Sequence, residues 1–318
     1  DVLLPHSNIG MLQGNPDVEQ FISFPKPSNF SIFIRLLSSV YRQYDLAISL
    51  QTSDRTTLCA IAAGKISLGF VETQTGKNWW KKKLLSRFLV FGQQHAVIEN
   101  LRFCEMLGIK NSYSLIPPYT LQPVNAVNSD HYAVLHIMPQ WRYKQWHIQG
   151  WLDVIDYLAK RGLEVVLSGS NQAAELAFLD SVMTASEIPV LNLAGKLSLA
   201  ELSDTIRHAK IFLGPDTGIT HLAAATGTPV ITLFGPTDPQ KWAPWPYGYN
   251  SSIPPFTSLG SKTVNNVTLL QSPKERHCIP CQGEGCDRNQ MSHSECLDDL
   301  DSHFVIEAID RILNKQSD

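Results

Sequence analysis

No stretch of this 318-residue chain reaches the roughly 18 consecutive apolar positions that a membrane-spanning helix requires. No signal peptide precedes the first strand either, so the sequence reads as that of a cytoplasmic protein. Charge is scarce: 17% of the residues are charged against 43% hydrophobic, which is a soluble globular composition. A single hydrophobic core rarely organises this length, and two domains are expected. The net charge is only −3, but residues 1–125 hold 12 Lys and Arg against 8 Asp and Glu, while the remainder holds 14 against 21. Such a difference fits either ordinary scatter of surface charge or an anionic partner for the first half. No nucleic-acid partner is expected.

What the chain does contain is concentrated in residues 211–239, IFLGPDTGITHLAAATGTPVITLFGPTDP. Residues 211–213 are apolar and short enough for a buried strand, and Gly214-Pro215 stops it, delivering Asp216 at the strand's carboxyl end. A helix should start there, capped by Asp216 or Thr217, with Gly218 allowing another group close to the backbone. His221 follows Thr217 by four residues and shares its face. Gly227-Thr228-Pro229 ends the helix, residues 230–234 make the next buried strand, and residues 235–239 form a turn.

A helix amino terminus beyond a parallel strand carries free N–H groups and the positive end of a dipole, which suits a phosphate. The hydroxyls of Thr217 and Thr220 and the imidazole of His221 add donors. Two other readings compete. Asp216 and Thr217 can merely cap a helix over a core histidine, and Asp-Thr-Gly is also the aspartic-protease triplet. The protease reading needs an all-β setting and a second aspartate sharing a proton, whereas this triplet opens an Ala-rich helix.

The pattern D-T-G-x-x-H-L-A-A-A-x-G-T-P-V-x-x-L-F-G-P-T-D-P, residues 216–239, resembles the signature of glycosyltransferase family 9, the lipopolysaccharide heptosyltransferases. The resemblance implies an α/β fold of the GT-B type: two Rossmann-like domains with parallel sheets and the active site in the cleft between them. It also implies inverting transfer of heptose from ADP-heptose to the lipopolysaccharide inner core, with no metal required for the chemistry. A sugar-nucleotide epimerase of similar fold, or a nucleotide-sugar-binding protein without catalysis, would share that architecture.

In chain order, strands are expected at residues 2–4, 18–24 and 44–50 and helices at 32–41 and 56–63, the second ended by Gly64. Residues 44–70 fit the family's acceptor-domain stretch, Y-D-L-x-I-x-L-Q followed by G-x-x-x-x-G-F. Residues 78–89 combine paired tryptophans, the triplet Lys81, Lys82 and Lys83, and Arg87 with an apolar tail. They read either as a segment at a membrane interface, basic groups meeting the anionic acceptor or headgroups, or as a helix start with Leu84, Leu85 and Phe88 facing the core. A further helix spans 95–107. Residues 112–130, with Pro117, Pro118 and Pro123, are the linker candidate. The expected domains are therefore 1–125, for the acceptor, and 126–318, for the nucleotide sugar.

In the second half a strand at 132–137, a helix at 148–160 and a strand at 164–167 follow one another. The loop between the first two ends K-x-W, and in the family its lysine contacts the sugar-nucleotide phosphates; Lys144 occupies that place. The family often carries a glutamate for the ribose hydroxyls after the next strand, where Glu175 is the nearest candidate. Residues 192–199, N-L-A-G-K-L-S-L, match a further family motif at a strand's carboxyl end and can border the nucleotide. A last amphipathic helix is expected at 303–313.

Cys59 and Cys104 lie on apolar helices and read as buried thiols. Cys278, Cys281, Cys286 and Cys296 fall within 19 residues and open with Cys-x-x-Cys, which suggests a structural zinc site; disulfides are disfavoured in a reducing compartment. The family's catalytic base is an aspartate on a Gly-rich loop after the first strand. No G-x-x-G-D pattern occurs in the first half, and residues 1–4 resemble the family's second strand, so the base is expected in a segment upstream of Asp1. Asp17, Asp45 and Asp54 stand at positions the family does not use for it. The expected partners are ADP-heptose or a related nucleotide sugar, the anionic lipopolysaccharide core, and the inner-membrane surface, reached peripherally from the cytoplasm.

Overall fold

A computed structural model describes residues 1–24, 30–73, 76, 78–122 and 124–315. The chain divides into two compact units, Asp1–Ile9 with Asp17–Ser112 and Gly10–Pro16 with Tyr113–Asp318. The boundary thus falls between Ser112 and Tyr113, inside the proline-rich stretch, whose Pro123 lies outside the described residues.

The first unit opens with β1 (Val2–Pro5) and, after a 3-10 segment at His6–Leu12, β2 (Phe21–Phe24). These two strands form a parallel pair of their own. The expected strand at 18–24 is shorter because Asn15, Pro16 and Asp17 still turn the chain. Next come α1 (Phe30–Val40), β3 (Tyr44–Ser49), α2 (Asp54–Ala63), β4 (Gly64–Val71), α3 (Trp79–Leu84), β5 (Arg87–Val90) and α4 (Ala96–Met106). Ser53 caps α2 by accepting from the Thr56 N–H, and Gly64 begins β4 directly. Strands β3, β4 and β5 form a parallel sheet in that order. Phe33, Leu36, Val40 and Cys59 make one small core, and Leu68, Phe70 and Phe103 another.

The second unit runs β6 (Tyr132–Leu135), α5 (Ile148–Lys160), β7 (Glu164–Leu167), α6 (Ala173–Ala185), β8 (Val190–Asn192), α7 (Leu199–His208), β9 (Ile211–Pro215), α8 (Gly218–Thr226) and β10 (Val230–Leu233). It continues through α9 (Pro239–Trp242), β11 (Lys262–Val264), β12 (Val267–Leu270), α10 (Glu295–Asp298) and α11 (Ser302–Asn314). The sheet order is β11-β12-β10-β9-β6-β7-β8, parallel except for β11. Its central strands β6, β9 and β10 are buried along their whole length because helices cover both faces. One core packs Trp151, Ile155 and Leu158 of α5 with Val305 and Ile309 of α11; the other packs Ile206 of α7 with Leu222, Ala223 and Ala224 of α8. This is the doubly wound α/β arrangement, in which ligands gather at the carboxyl ends of the strands. Among the described residues no helix is long and apolar enough to cross a membrane.

Candidate functional site

The site grows from the β9-α8 junction. Gly214 is required there, since a Cβ would stand 2.9 Å from Thr220 Oγ1 and 3.0 Å from the Phe212 ring. With only a hydrogen in that place, the first turn of α8 can press onto the end of β9. Thr217 is the cap: its Oγ1 accepts from the Thr220 N–H at 3.4 Å. Gly227 ends the helix with φ of 88°, the left-handed conformation that glycine adopts without a Cβ clash. The N–H groups of Gly218 and Ile219 precede the first intrahelical bonds, and the direction in which a Gly218 side chain would point is open.

Asp216 does not cap. Its carboxylate turns sideways and accepts from Lys144 Nζ at 2.6 Å, the two side chains being 8% and 20% exposed. Burial pushes the Asp216 carboxyl up, but neighbouring His221 and Lys144 outweigh it and hold the group below the usual carboxylate value. His221 Nε2 lies 3.9 Å from Asp216 Oδ1, beyond hydrogen-bond length, and its ring is partly exposed, so it is not a core histidine. Lys144 is carried on a stiff loop. Residues Arg142–Lys144 form a 3-10 turn, and Trp146, almost fully buried, donates from Nε1 to the Leu300 carbonyl at 2.8 Å.

Thr220 requires a correction. Its hydroxyl is fully buried and donates to the Pro215 carbonyl at 2.6 Å, so it holds the helix start and offers no donor to a ligand. Glu175 is better placed than its sequence position suggests. It lies in the first turn of α6 and its carboxylate folds back to accept from Ser170 Oγ. A Cβ at Gly169 would meet Glu175 Oε1 at 2.7 Å, which sets the carboxylate at the carboxyl end of β7. His136, just beyond β6, went unnoticed in the sequence. It is buried against Ser168 Oγ at 3.2 Å, and burial holds its imidazole below the ordinary value although nearby Glu175 acts the other way.

A cavity of about 370 Å³ opens beside the Lys144–Asp216 pair, within the range of about 300–1,000 Å³ typical of small-molecule sites. Tyr143 and His221 complete this side. The facing wall is Asp238 and Trp242, which follow β10, and Gln282, Gly283 and Glu284 from the cysteine-rich segment. Asp238 belongs to the signature at residues 216–239, Trp242 is marked only by its place after a strand's carboxyl end, and nothing local marks the other three.

The four thiols of the cysteine-rich segment differ in their surroundings. Cys278, Cys281 and Cys286 are exposed and free, while Cys296 is buried beneath Gly235. Among the described residues no three His, Cys, Asp or Glu side chains are gathered to hold a metal ion. The Cys296 thiol is pushed up to about 12, first by burial and then by the other three sulfurs.

In the first unit the basic triplet splits by environment. Lys81 is 4% exposed, donates to the Thr52 carbonyl and pairs with Asp54 Oδ1 at 2.8 Å, so it is a structural cation and not an acceptor ligand. Lys82 sits half-buried near the Phe88 ring, whereas Lys83 and Arg87 are exposed. Of the apolar tail only Leu85 is buried; Leu84 and Phe88 are exposed, because the helix stops at Leu84 and Phe88 lies on β5. Asp45 is tied to Lys65 at 2.7 Å, and Asp54 to Lys81.

Comparison with known proteins agrees with this geometry. The model of glycosyltransferase family 9 (heptosyltransferase) matches residues 33–256, a span that includes the Lys144 loop, Glu175 and the whole β9-α8-β10 unit. The chain is similar to lipopolysaccharide heptosyltransferase 3 of Escherichia coli K12, 34% identical over 266 residues, which cover 77% of this chain and 76% of that one. Its fold is similar to that of the family 9 glycosyltransferase from Veillonella parvula (TM-score 0.76, 15% identity, covering 98% and 87% of the two chains). It is also similar to that of E. coli ADP-heptose lps heptosyltransferase II (TM-score 0.72, 16% identity, covering 100% and 90%). A cation and an open helix start at the strand ends of a doubly wound sheet, inside a matched span covering most of the sequence, make this chain a glycosyltransferase and a member of family 9, the heptosyltransferases.

Proposed function

We propose that this enzyme transfers heptose from ADP-heptose to the inner core of lipopolysaccharide, with inversion and without a metal ion in the chemistry. The observation that carries the reading is the Lys144–Asp216 pair beside the open first turn of α8. When the acceptor oxygen attacks the anomeric carbon, the carbon–oxygen bond to the diphosphate breaks and its electron pair leaves with ADP. That departing charge needs fixed positive groups, and the Lys144 ammonium and the Gly218 and Ile219 N–H groups supply them. The acceptor hydroxyl gives its proton to a general base. Asp216 is ill suited to that task, being buried, ion-paired and held below the usual carboxylate value.

Thr217 completes the diphosphate cradle, and Glu175 holds the ribose hydroxyls from the end of β7. Exposed Lys83 and Arg87 in the first unit suit phosphorylated core sugars, and with Trp79 they suit work at the cytoplasmic face of the inner membrane. The test is an assay by mass spectrometry with ADP-heptose and a core lacking the added heptose, run with excess EDTA. A product heavier by one heptosyl unit is expected from protein that carries the general base. Failure to bind ADP-heptose with the fold intact, or activity restored only by magnesium, counts against the reading. Isomerisation of the donor without acceptor indicates an epimerase.

A further inference from the structure

The strand order gives the donor site a direction. Going along the sheet from β7 through β6 and β9 to β10, the carboxyl ends present Glu175, then the Lys144 loop, then Thr217, then Thr237 and Asp238. Three strand spacings of about 4.8 Å separate β7 from β10, roughly 14 Å in all, which matches a nucleotide sugar laid across the strand ends. In such a molecule the ribose and the sugar flank the diphosphate on opposite sides. With the ribose at Glu175 and the diphosphate at Lys144 and Thr217, the sugar falls toward β10, on the side of the cavity that Asp238 and Trp242 line.

The far wall of that cavity is built, not incidental. The cysteine-rich segment is fastened to the loops on either side: Gln282 N–H donates to the Pro236 carbonyl at 2.8 Å, and Ser294 Oγ donates to the Tyr143 carbonyl at 2.6 Å. Gln282 takes φ of 53°, a left-handed conformation uncommon for a residue with a side chain, and it turns the chain into Gly283 and Glu284. The Tyr143 phenol is raised by burial, then by the Glu284 and Asp216 carboxylates, so both acids act on the same ring. Trp242, a residue usually covered, is 43% exposed on the cavity rim.

We propose that this cavity is the glycosyl subsite of the donor, in which Trp242, Asp238 and Glu284 bind a neutral, polyhydroxylated sugar. An indole face covers the C–H side of a sugar ring, and carboxylates accept from its hydroxyls through charge-assisted hydrogen bonds. The same acids repel a sugar that bears a carboxylate, which narrows the donor class to uncharged sugars. The cysteine-rich segment thereby sets sugar specificity, through its Gln282–Glu284 turn and not through its thiols. This inference rests on the proposed donor orientation.

The experiment measures the affinity of ADP and of ADP-heptose, with transfer rates, for the parent protein and for the Trp242→Ala and Glu284→Ala variants. Both side chains are exposed, so the variants keep the fold, which circular dichroism verifies. ADP affinity should stay within about twofold of the parent, while kcat/KM for ADP-heptose falls about tenfold to a hundredfold, the worth of one hydrogen bond to a charged group. Equal losses for ADP and ADP-heptose, or no loss for either, overturn the subsite while leaving the donor reading intact if the parent transfers heptose. A parent that neither binds ADP nor transfers heptose overturns both.

Discussion

Replacing Lys144 with Ala tests the site at its most exposed point of logic, because the lysine does two separable things. In the proposed function it supplies positive charge to the departing diphosphate, and in the structure it neutralises buried Asp216. A unit charge about 4 Å from a phosphate oxygen, at an effective dielectric near 20, is worth about 4 kcal/mol, and the ammonium's own hydration reduces that. A loss of about 2 to 4 kcal/mol of transition-state stabilisation is expected, or about 30-fold to 1,000-fold in kcat/KM. Stability should also fall by about 1 to 3 kcal/mol, since Asp216 keeps its charge in a nearly closed setting with only His221 beside it. The double variant Lys144→Ala/Asp216→Asn separates the two effects. Urea unfolding should show most of the stability restored, whereas the transfer assay should stay low. A double variant with parental kcat/KM would mean that Lys144 only balances Asp216, and an unaltered single variant would remove it from the site altogether.

Other perturbations follow from the same geometry. Burial holds His136 below its ordinary 6.5, so below that pH the unfolded chain takes up a proton that the folded protein refuses. Its stabilising share is full above pH 6.5 and declines as the pH falls, by at most about 1.4 kcal/mol per unit; replacing His136 with Asn should flatten the urea midpoint between pH 6.5 and 5, and an unchanged slope refutes the assignment. Asp54→Asn leaves the buried Lys81 ammonium with the Thr52 carbonyl and the Trp80 ring but no counter-charge and should cost about 1 to 3 kcal/mol, while Lys83→Ala and Arg87→Ala should stay within about 0.5 kcal/mol. Equal thermal shifts for all three would contradict the division of the basic cluster. Iodoacetamide at pH 8 should modify Cys278, Cys281 and Cys286 in the native protein but spare Cys59 and Cys296, whose thiols burial pushes up to about 11 and about 12. Mass mapping that finds Cys296 labelled as fast as Cys281 contradicts that ordering.

The helices and strands of the second unit were legible because they are fixed by local signals. Gly214-Pro215 ends one strand, Gly227 closes α8, and the helix at 148–160 carries its apolar stripe in plain view. The open amino end of α8 followed from the same punctuation. What each side chain does there was less accessible, because Asp216 and Thr217 are equally good caps by type and only the approach of Lys144, 72 residues away, decides between them. Thr220 reads as a ligand donor until the Pro215 carbonyl claims its hydroxyl. Lys81 and Lys83 are indistinguishable in sequence, and the position of Asp54 decides which one turns inward. The cysteine-rich segment was the furthest from legible. Its spacing suggests a metal, whereas its position is set by contacts such as Ser294 to Tyr143, separated by 151 residues.

The anchors of the cationic loop also impose an order in time. Tyr143 is held by Ser294, and Trp146 by the carbonyl of Leu300, 154 positions downstream. At about 5 to 20 residues per second, a ribosome takes about 8 to 30 s to travel that interval. Within it, β9 and α8 are made and can join β6 while the Lys144 loop still lacks both fastenings. The fixed placing of the Lys144 ammonium is therefore among the last features the nascent chain acquires.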